Sequence, residues 1–506
     1  MPPNELPPVV PSDVAAAYQL LQRGAFGEAE RACHRALAAS NGRDPHAWTA
    51  LGVVLREQLR VTEAEAAYRR AITVAPNYIP ALHNLGALLS QLERPEEALD
   101  ALDRAGALGL TARELHMNRG RSLAQLYRFE EAERAYVQAV ALEPRDAAAQ
   151  SNLAQLRFMR GDPEFTREIA AAASMYPGDI RLQLALGDLL RRAGNLAGAE
   201  AVVRTLISNS GPVPEARSSL ATVLQELGRL KEAEGEALEA ALARPHDVTL
   251  IENLVAIELA IGRPDEAAPF IRTQRLSQPN DQGWIAYEAT AARMRGDELY
   301  RRLYDYGRLV RVYELEPPSG WSSMAELNAA LVQALGTRHR FAAHPLDQSL
   351  RNGSQTARSL LTERDRAIQA LLAAFAGPIE SYRAEVGNEP DHPLTARNRG
   401  TAQLSGCWSV ELRQDGFHVN HIHPQGWISS AYYVSVPPEV EDSRAKSGWL
   451  KFGEPRLPIP AVDAEHFVQP RAGRLVLFPS YMWHGTNAIR GAEPRLTVAF
   501  DVVPSV

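Results

Sequence analysis

The sequence predicts a multidomain α + β chain, an all-helical repeat superhelix followed by a small strand-rich barrel or sandwich. Three observations predict it. Small residues recur with a 34-residue step over residues 10–295. Near residue 397 the hydrophobic period changes from helical to alternating. In the alternating part, His421-Ile422-His423 is followed sixty-one residues later by His484, and eleven after that by Arg495.

The bulk properties narrow the function. A chain of 506 residues exceeds what one hydrophobic core normally serves. A net charge of -7 argues against a general nucleic-acid binder, which would carry a basic patch or stripe. The two cysteines, Cys33 and Cys407, fall in different predicted domains, so a disulfide framework is excluded and a reducing compartment fits. Met1 to Pro8 has neither a basic region nor an apolar one, so no signal peptide is expected. No run approaches 18 apolar residues, so no membrane span is expected either. The expected location is the cytoplasm, with no nucleic-acid or membrane partner.

The repeat half is built on small residues in step. Gly52, Gly86 and Gly120 are 34 residues apart, as are Ala64, Ala98 and Ala132, and again Ala199, Ala233 and Ala267. Small residues let two helices approach; Trp48, Leu51, Leu55 and Tyr68 fill the groove between neighbouring pairs, and prolines such as Pro76 and Pro144 end second helices. This pattern resembles the tetratricopeptide repeat, and about eight units fit residues 10–295, weaker ones near 10–44 and 147–179. Asn84, Asn118, Asn152 and Asn253 share the sixth position of their units, on the first helix. First helices line the concave face of such a superhelix. A carboxamide there offers a donor and an acceptor to an extended peptide. The arrangement is similar to the asparagine ladder of protein O-GlcNAc transferases, and it makes these four residues candidates for peptide binding. The alternative is that each asparagine satisfies nearby backbone.

The 34-residue step is lost after Arg295. A second domain is expected over residues 299–506, with a helical lead-in at 299–395 and a strand core at 397–506. Pro317 to Trp321 is a breaker cluster, and Met324–Leu335 and Ala357–Phe375 read as helices. Between them, His344 to Thr356 is polar. It reads either as a substrate lip or as a surface connector capped by Ser354 or Thr356.

Trp408–Leu412, Ile428–Val436, Arg474–Phe478 and Leu496–Val502 read as strands between Pro/Gly turns. On a strand, His421 and His423 share a face, about 6.6 Å apart along it. His484 would complete a facial metal set from a distant strand. Imidazole suits iron, copper, nickel and zinc alike, and without a cysteine cluster a structural zinc site is not expected. Nearby His418 is read as facing the other way. Arg495, Thr497 and Ala499 share one face of the last strand. A buried arginine there requires an anion, because an unpaired buried charge is very costly; apart from Glu493 and Asp501 no carboxylate is an obvious local partner, and a bound dicarboxylate would provide one through a bidentate pair.

Residues 405–503 resemble the 2-oxoglutarate and Fe(II)-dependent dioxygenases of the prolyl-hydroxylase-like branch. The residues that carry the resemblance are His421-Ile422-His423, Ala431-Tyr432-Tyr433-Val434, Gly473 to Pro479, His484 and Arg495. It implies a double-stranded β-helix (jelly roll), with iron on His421, His423 and His484. It implies that Arg495 grips the far carboxylate of 2-oxoglutarate, with Tyr432 and Thr497 as further co-substrate contacts. His423 departs from the family, which usually has Asp or Glu there. The HxH form, with Pro424 after it and a following Ser429-x-x-Tyr432-Tyr433, resembles a group of bacterial and phage oxygenases. The implied reaction converts 2-oxoglutarate and O2 to succinate and carbon dioxide while hydroxylating a C–H bond. Tetratricopeptide repeats also precede the oxygenase domain of some aspartyl/asparaginyl β-hydroxylases, which implies a protein or peptide substrate recruited by the superhelix. Phe478, Trp483 and Trp427 are candidates for the pocket wall. Two alternatives stand beside this reading. One is a cupin-type metalloenzyme that does not use 2-oxoglutarate, although Pro424 to Ile428 lacks the glutamate cupins usually carry. The other is a non-catalytic repeat scaffold with a degenerate barrel.

Overall fold

The computed structural model describes residues 12–505; the stretch Met1 to Pro8 and the first two residues of the expected repeat span lie outside them. The chain divides into two compact units, Met1–Pro144 and Arg145–Val506. No helix among the described residues is long and apolar enough to cross a membrane.

The first unit consists of four helical hairpins: Ser12–Gln22 with Phe26–Ala39, Pro45–Glu57 with Val61–Val74, Ile79–Gln91 with Pro95–Ala107, and Arg113–Gln125 with Phe129–Leu142. The repeated glycines are there because nothing larger fits. A Cβ on Gly52 would stand 2.5 Å from the Tyr68 ring, and one on Gly120 2.6 Å from that of Tyr136. Ala64, Ala98 and Ala132 are completely buried at the same contact. The tight turn between hairpin helices demands a left-handed residue, and here it falls on Leu59, Glu93 and Tyr127, all at positive φ. The second unit puts Gly194, Gly228 and Gly262 at the matching turns. Leu59 is 85% exposed, so it contributes little packing. A left-handed non-glycine is disfavoured by about 1–2 kcal/mol, against about 0.5–1 kcal/mol for the extra freedom of glycine in the unfolded chain. Leu59→Gly is therefore expected to stabilise the first unit by roughly 0.5–1 kcal/mol, read as a higher urea midpoint; a lower midpoint would show that the turn carries no strain.

The second unit continues with four more hairpins, from Ala147–Met159 to Pro264–Ser277, and a single helix, Gln282–Arg295. Asp146, Asp179, Asp247 and Asp281 each cap a first helix by accepting from a backbone N–H, as in Asp281 with Trp284 at 2.9 Å. The barrel follows in the same unit. Its strands are β1 (Arg311–Glu314), β2 (Leu350–Gln355), β3 (Thr401–His418), β4 (Ile428–Ser435), β5 (Leu450–Phe452), β6 (His466–Val468), β7 (Arg474–Pro479), β8 (His484–Thr486) and β9 (Arg495–Ser505). They form a six-stranded sheet, β1-β7-β4-β9-β3-β2, and a three-stranded sheet, β6-β5-β8, with every pairing antiparallel. An all-α solenoid thus precedes an antiparallel two-sheet barrel.

Helices Met324–Gly336, Arg366–Ala374 and Ala376–Val386 pack on the outside of the larger sheet, where Phe375 meets Tyr432 and Phe500 at ring-centroid distances of 5.7 and 4.4 Å. The solenoid's last helix belongs to this core too, through Ile285, Ala286 and Ala289. Two local expectations change. The run from Ala357 makes a single 3-10 turn at Leu360–Thr362 and becomes α-helical only at Arg366, where Asp365 caps the helix. Nor is the polar stretch His344 to Thr356 a surface connector: Leu350–Gln355 is edge strand β2, paired along β3. Polar side chains suit an edge whose one face borders a cavity.

Candidate metal centre

Backbone pairing brings the three histidines together. His421 and His484 form an isolated antiparallel bridge, His421 N–H donating to His484 O at 2.8 Å and His484 N–H to His421 O at 3.0 Å. His423 lies past the bridge, where its N–H donates to Ser480 O at 3.0 Å. Gly485 permits this approach, since a Cβ there would sit 2.4 Å from Asn420 Oδ1 and 2.9 Å from His418 O. One nitrogen from each of the three rings lies within 4.8 Å of the other two.

The hydrogen bonds decide which nitrogen is available. His421 Nδ1 donates to Val419 O at 2.8 Å and His484 Nδ1 to Met482 O at 2.9 Å. His423 Nδ1 faces Asp501 Oδ1 at 2.6 Å. A carbonyl or carboxylate can only accept, so each Nδ1 carries the proton and each Nε2 keeps a lone pair. His421 Nε2 and His423 Nε2 then face each other at 3.2 Å as two acceptors. Burial, and after it the neighbouring His423, pushes His421 down to about 3. Burial likewise holds His484 well below the usual imidazole range, with His421 adding to it. Both rings are neutral at pH 7, the form that binds a metal. Three imidazoles whose Nδ1 atoms are held by acceptors and whose Nε2 atoms converge fit a divalent cation. His418 Nδ1 and His421 Nε2 both reach Ser349 Oγ, at 2.9 and 3.2 Å, so His418 sits behind the trio rather than in it.

Asp501 is the residue that sequence reasoning did not place here. It continues the alternation of Arg495, Thr497 and Ala499 by one step, and that signal was available. Its Oδ1 takes the His423 proton donor and also Ser429 Oγ at 2.7 Å. The family's usual carboxylate is missing from position 423, yet a carboxylate stands directly behind that imidazole. Such a partner fixes the tautomer and raises ligand basicity. Asp501→Asn is expected to weaken Co(II) binding by about 10–100-fold, measured by titration of visible absorbance; unchanged affinity would leave Asp501 without this role.

Arg495 is 2% exposed. Its Nη1 donates to Gly448 O, its guanidinium lies 5.6 Å from the Tyr433 ring centre, and its Nε has no partner. Burial lowers its hold on its proton, yet among the described residues no carboxylate pairs with it. The Tyr433 hydroxyl is also buried and unpartnered. These orphaned donors are the structural sign of a place for an anion. Tyr432, the tyrosine expected there, points the other way: its hydroxyl donates to Asn328 Oδ1 at 2.6 Å among the outer helices. Adjacent strand residues face opposite sides, so Tyr433 takes the inner place. Thr497 lies on the inner face, where its hydroxyl donates to Val410 O at 3.3 Å.

The three histidines, Tyr433, Arg495, Thr497 and Asp501 line one cavity of about 610 Å³, together with Phe478, Arg351 of β2 and Ser349 just before it. Trp427 is instead core, its indole N–H bound to Leu394 O at 2.8 Å. Trp483 borders a second cavity of about 320 Å³ and donates to Thr290 Oγ1 at 3.0 Å. The solenoid closes both cavities. Arg191 and Glu226, on first helices, line each of them. Asn253 borders the second cavity, but its amide already donates to Ser218 O at 2.8 Å and Ser218 Oγ at 2.9 Å. Asn84 and Asn118, in the first unit, and Asn152, in the second, are half-buried on first helices.

Fold and site together define a helical repeat solenoid joined to a two-sheet barrel with a three-histidine cluster that could hold a metal ion. Residues 406–501 match the family described as "Putative 2OG-Fe(II) oxygenase", and residues 44–108, 113–146 and 184–248 match tetratricopeptide repeat families. The chain thus carries tetratricopeptide repeats toward its N-terminus and an oxygenase-type domain at its C-terminus, with an HxH motif. That family implies Fe(II), 2-oxoglutarate and O2 as its reactants. Among solved structures, the chain is similar to a tetratricopeptide repeat protein from Parabacteroides merdae (21% identity, 48% of this chain and 97% of that one, TM-score 0.37). It is also similar to yeast Tom70 (15% identity, 56% and 61%, TM-score 0.43). A third is a thermophilic tetratricopeptide repeat protein from Thermus thermophilus (25% identity, 35% and 97%, TM-score 0.30). No curated protein matches the chain.

Proposed function

We propose that this protein is a 2-oxoglutarate- and Fe(II)-dependent dioxygenase that hydroxylates a polypeptide presented by its solenoid. His421, His423 and His484 hold the iron, Arg495 and Tyr433 hold the far carboxylate of 2-oxoglutarate, and Asp501 orients His423. The observation that carries the reading is the pairing, in one cavity, of converging imidazole nitrogens with a buried arginine that has no carboxylate partner among the described residues. Bound iron would supply the oxidative decarboxylation of the co-substrate and the oxidation of the substrate C–H bond. The protein's part is to fix the three imidazoles in their metal-binding tautomers and to anchor an anion away from water. A cupin-type site is less well supported, since the three histidines have no glutamate among them. The two buried free cysteines are compatible with a reducing, cytoplasmic setting.

Anaerobic Fe(II) loading followed by oxygen, with succinate measured from added 2-oxoglutarate, tests the reading; succinate formation is expected. Stoichiometric iron without succinate, even with polypeptide present, would move the protein to a different metal chemistry, and no iron at all would leave a scaffold. Polypeptide delivery has its own test. Replacing Asn84, Asn118 and Asn152 together by alanine is expected to weaken a polypeptide substrate while uncoupled 2-oxoglutarate turnover continues. Equal loss of both would mean that the asparagines only hold the repeats together.

A further inference from the structure

The mouth of the catalytic cavity is rich in arginine. Arg191 and Arg192 come from a solenoid helix, Arg351 from β2 and Arg456 from the loop after β5, and all four line the same cavity. Most of this charge is already spoken for. Arg191 pairs with Asp188 at 2.7 Å and Glu226 at 2.5 Å, Arg192 with Asp188 at 2.7 Å, and Arg456 reaches Glu226 at 3.4 Å. Arg351 differs. Its Nη1 donates to the carbonyls of Gln348 and Leu350, at 2.8 and 2.7 Å, and no carboxylate lies within ion-pair distance of it among the described residues. Nε and Nη2 are left for another acceptor. Burial, and next Arg456, makes Arg351 give up its proton more readily than usual, as expected where cations crowd one space.

The second cavity adjoins this mouth: Arg191, Glu226 and Arg456 belong to both linings. The second cavity is walled by first-helix side chains of successive repeats, among them Ser218, Thr222 and Asn253. Gln225, 8% exposed, also lines it, and its Nε2 has no partner. A second cavity beside the first, with polar side chains of successive helices on its wall, suits a chain that extends beyond its reacting residue. The unpaired Gln225 Nε2 suits a backbone carbonyl, and a guanidinium edge suits a carboxylate.

We infer that Arg351 is an anion subsite that reads an acidic side chain on an extended polypeptide, lying through the second cavity with its reacting residue in the first. The inference rests on the polypeptide reading above and adds to it a sequence requirement. Arg351 lies one strand from the histidines, Leu350 being paired with His418 and Arg351 with Phe417, so the acidic residue sits close to the reacting one.

The test is a peptide library on the full chain loaded with Co(II) and 2-oxoglutarate, one position at a time varied among Asp, Glu, phosphoserine, Asn, Gln and Lys. Enrichment of acidic over amide side chains by about tenfold is expected at one position. The phosphoserine arm separates a phosphoryl preference from a carboxylate one. Arg351→Gln should erase the enrichment and Arg351→Glu should turn it toward Lys. Cobalt absorbance unchanged from that of the unaltered protein would show that each variant is folded. Retained peptides with no acidic preference, or a preference that survives both variants, would overturn the subsite and leave the polypeptide reading standing. If no peptide is retained by the unaltered protein, both fall.

Discussion

Exchanging Arg495 for methionine is expected to make the protein more stable and, at the same time, blind to 2-oxoglutarate. The guanidinium is buried with its Nε unpaired, and its partners are Gly448 and the Tyr433 ring. Replacing a buried charge by an apolar chain of similar volume is neutral or stabilising by about 1–4 kcal/mol. Methionine fills much of the same space, whereas Arg495→Ala would add a cavity to the comparison. The bound state moves the other way. Losing one partner of a buried charge pair weakens binding by about 2–5 kcal/mol, roughly 30- to 5,000-fold. Thermal unfolding reads both effects. In the unaltered protein loaded with Co(II), 2-oxoglutarate at about 100 times its dissociation constant should add about 2.7 kcal/mol of stability. The variant should start higher and show no such gain, with its cobalt binding intact. Unchanged affinity for 2-oxoglutarate would remove Arg495 from the anchor role.

His484→Ala is expected to abolish succinate formation and to weaken metal binding by more than the ~100-fold that loss of an outer partner can cause. The effect should be local. His484 holds His421 through two backbone bonds across the bridge, and its place opposite Phe452 is set by the backbone register with β5; neither needs the ring. The folded barrel should therefore remain, with two imidazoles that no longer close around an ion. Titration with Co(II) beside circular dichroism separates the two cases. Tight binding by a folded variant would show that His484 is no ligand; loss of fold would show that its 95% burial matters more than its lone pair.

The repeat half was legible because its physics is local and repeated. Gly52, Gly86 and Gly120 mark places where two helices touch, and a contact repeated every 34 residues leaves its mark on composition. The histidines and Arg495 were legible because few structural roles call for such groups at alternating positions of strands. Position 84 and its companions were legible as a pattern but not as a purpose: Asn253 turns out to bind its neighbouring helix.

What the amino-acid order determined by itself was the sequence of elements and the residue types of the site. Helical period, turn residues and strand alternation are short-range properties, each written within one or two turns of chain. Only the tertiary structure decided the rest. Which tyrosine faces Arg495 depends on the phase of β4, and a one-residue shift exchanges Tyr432 for Tyr433. Asp501 became the partner of His423 through a contact across 78 residues. Arg191 and Glu226, which no local pattern marks, became part of the cavity mouth only where the second unit's repeats pack on the barrel. Contacts between segments far apart in the chain depend on how whole elements pack, and no local period records that.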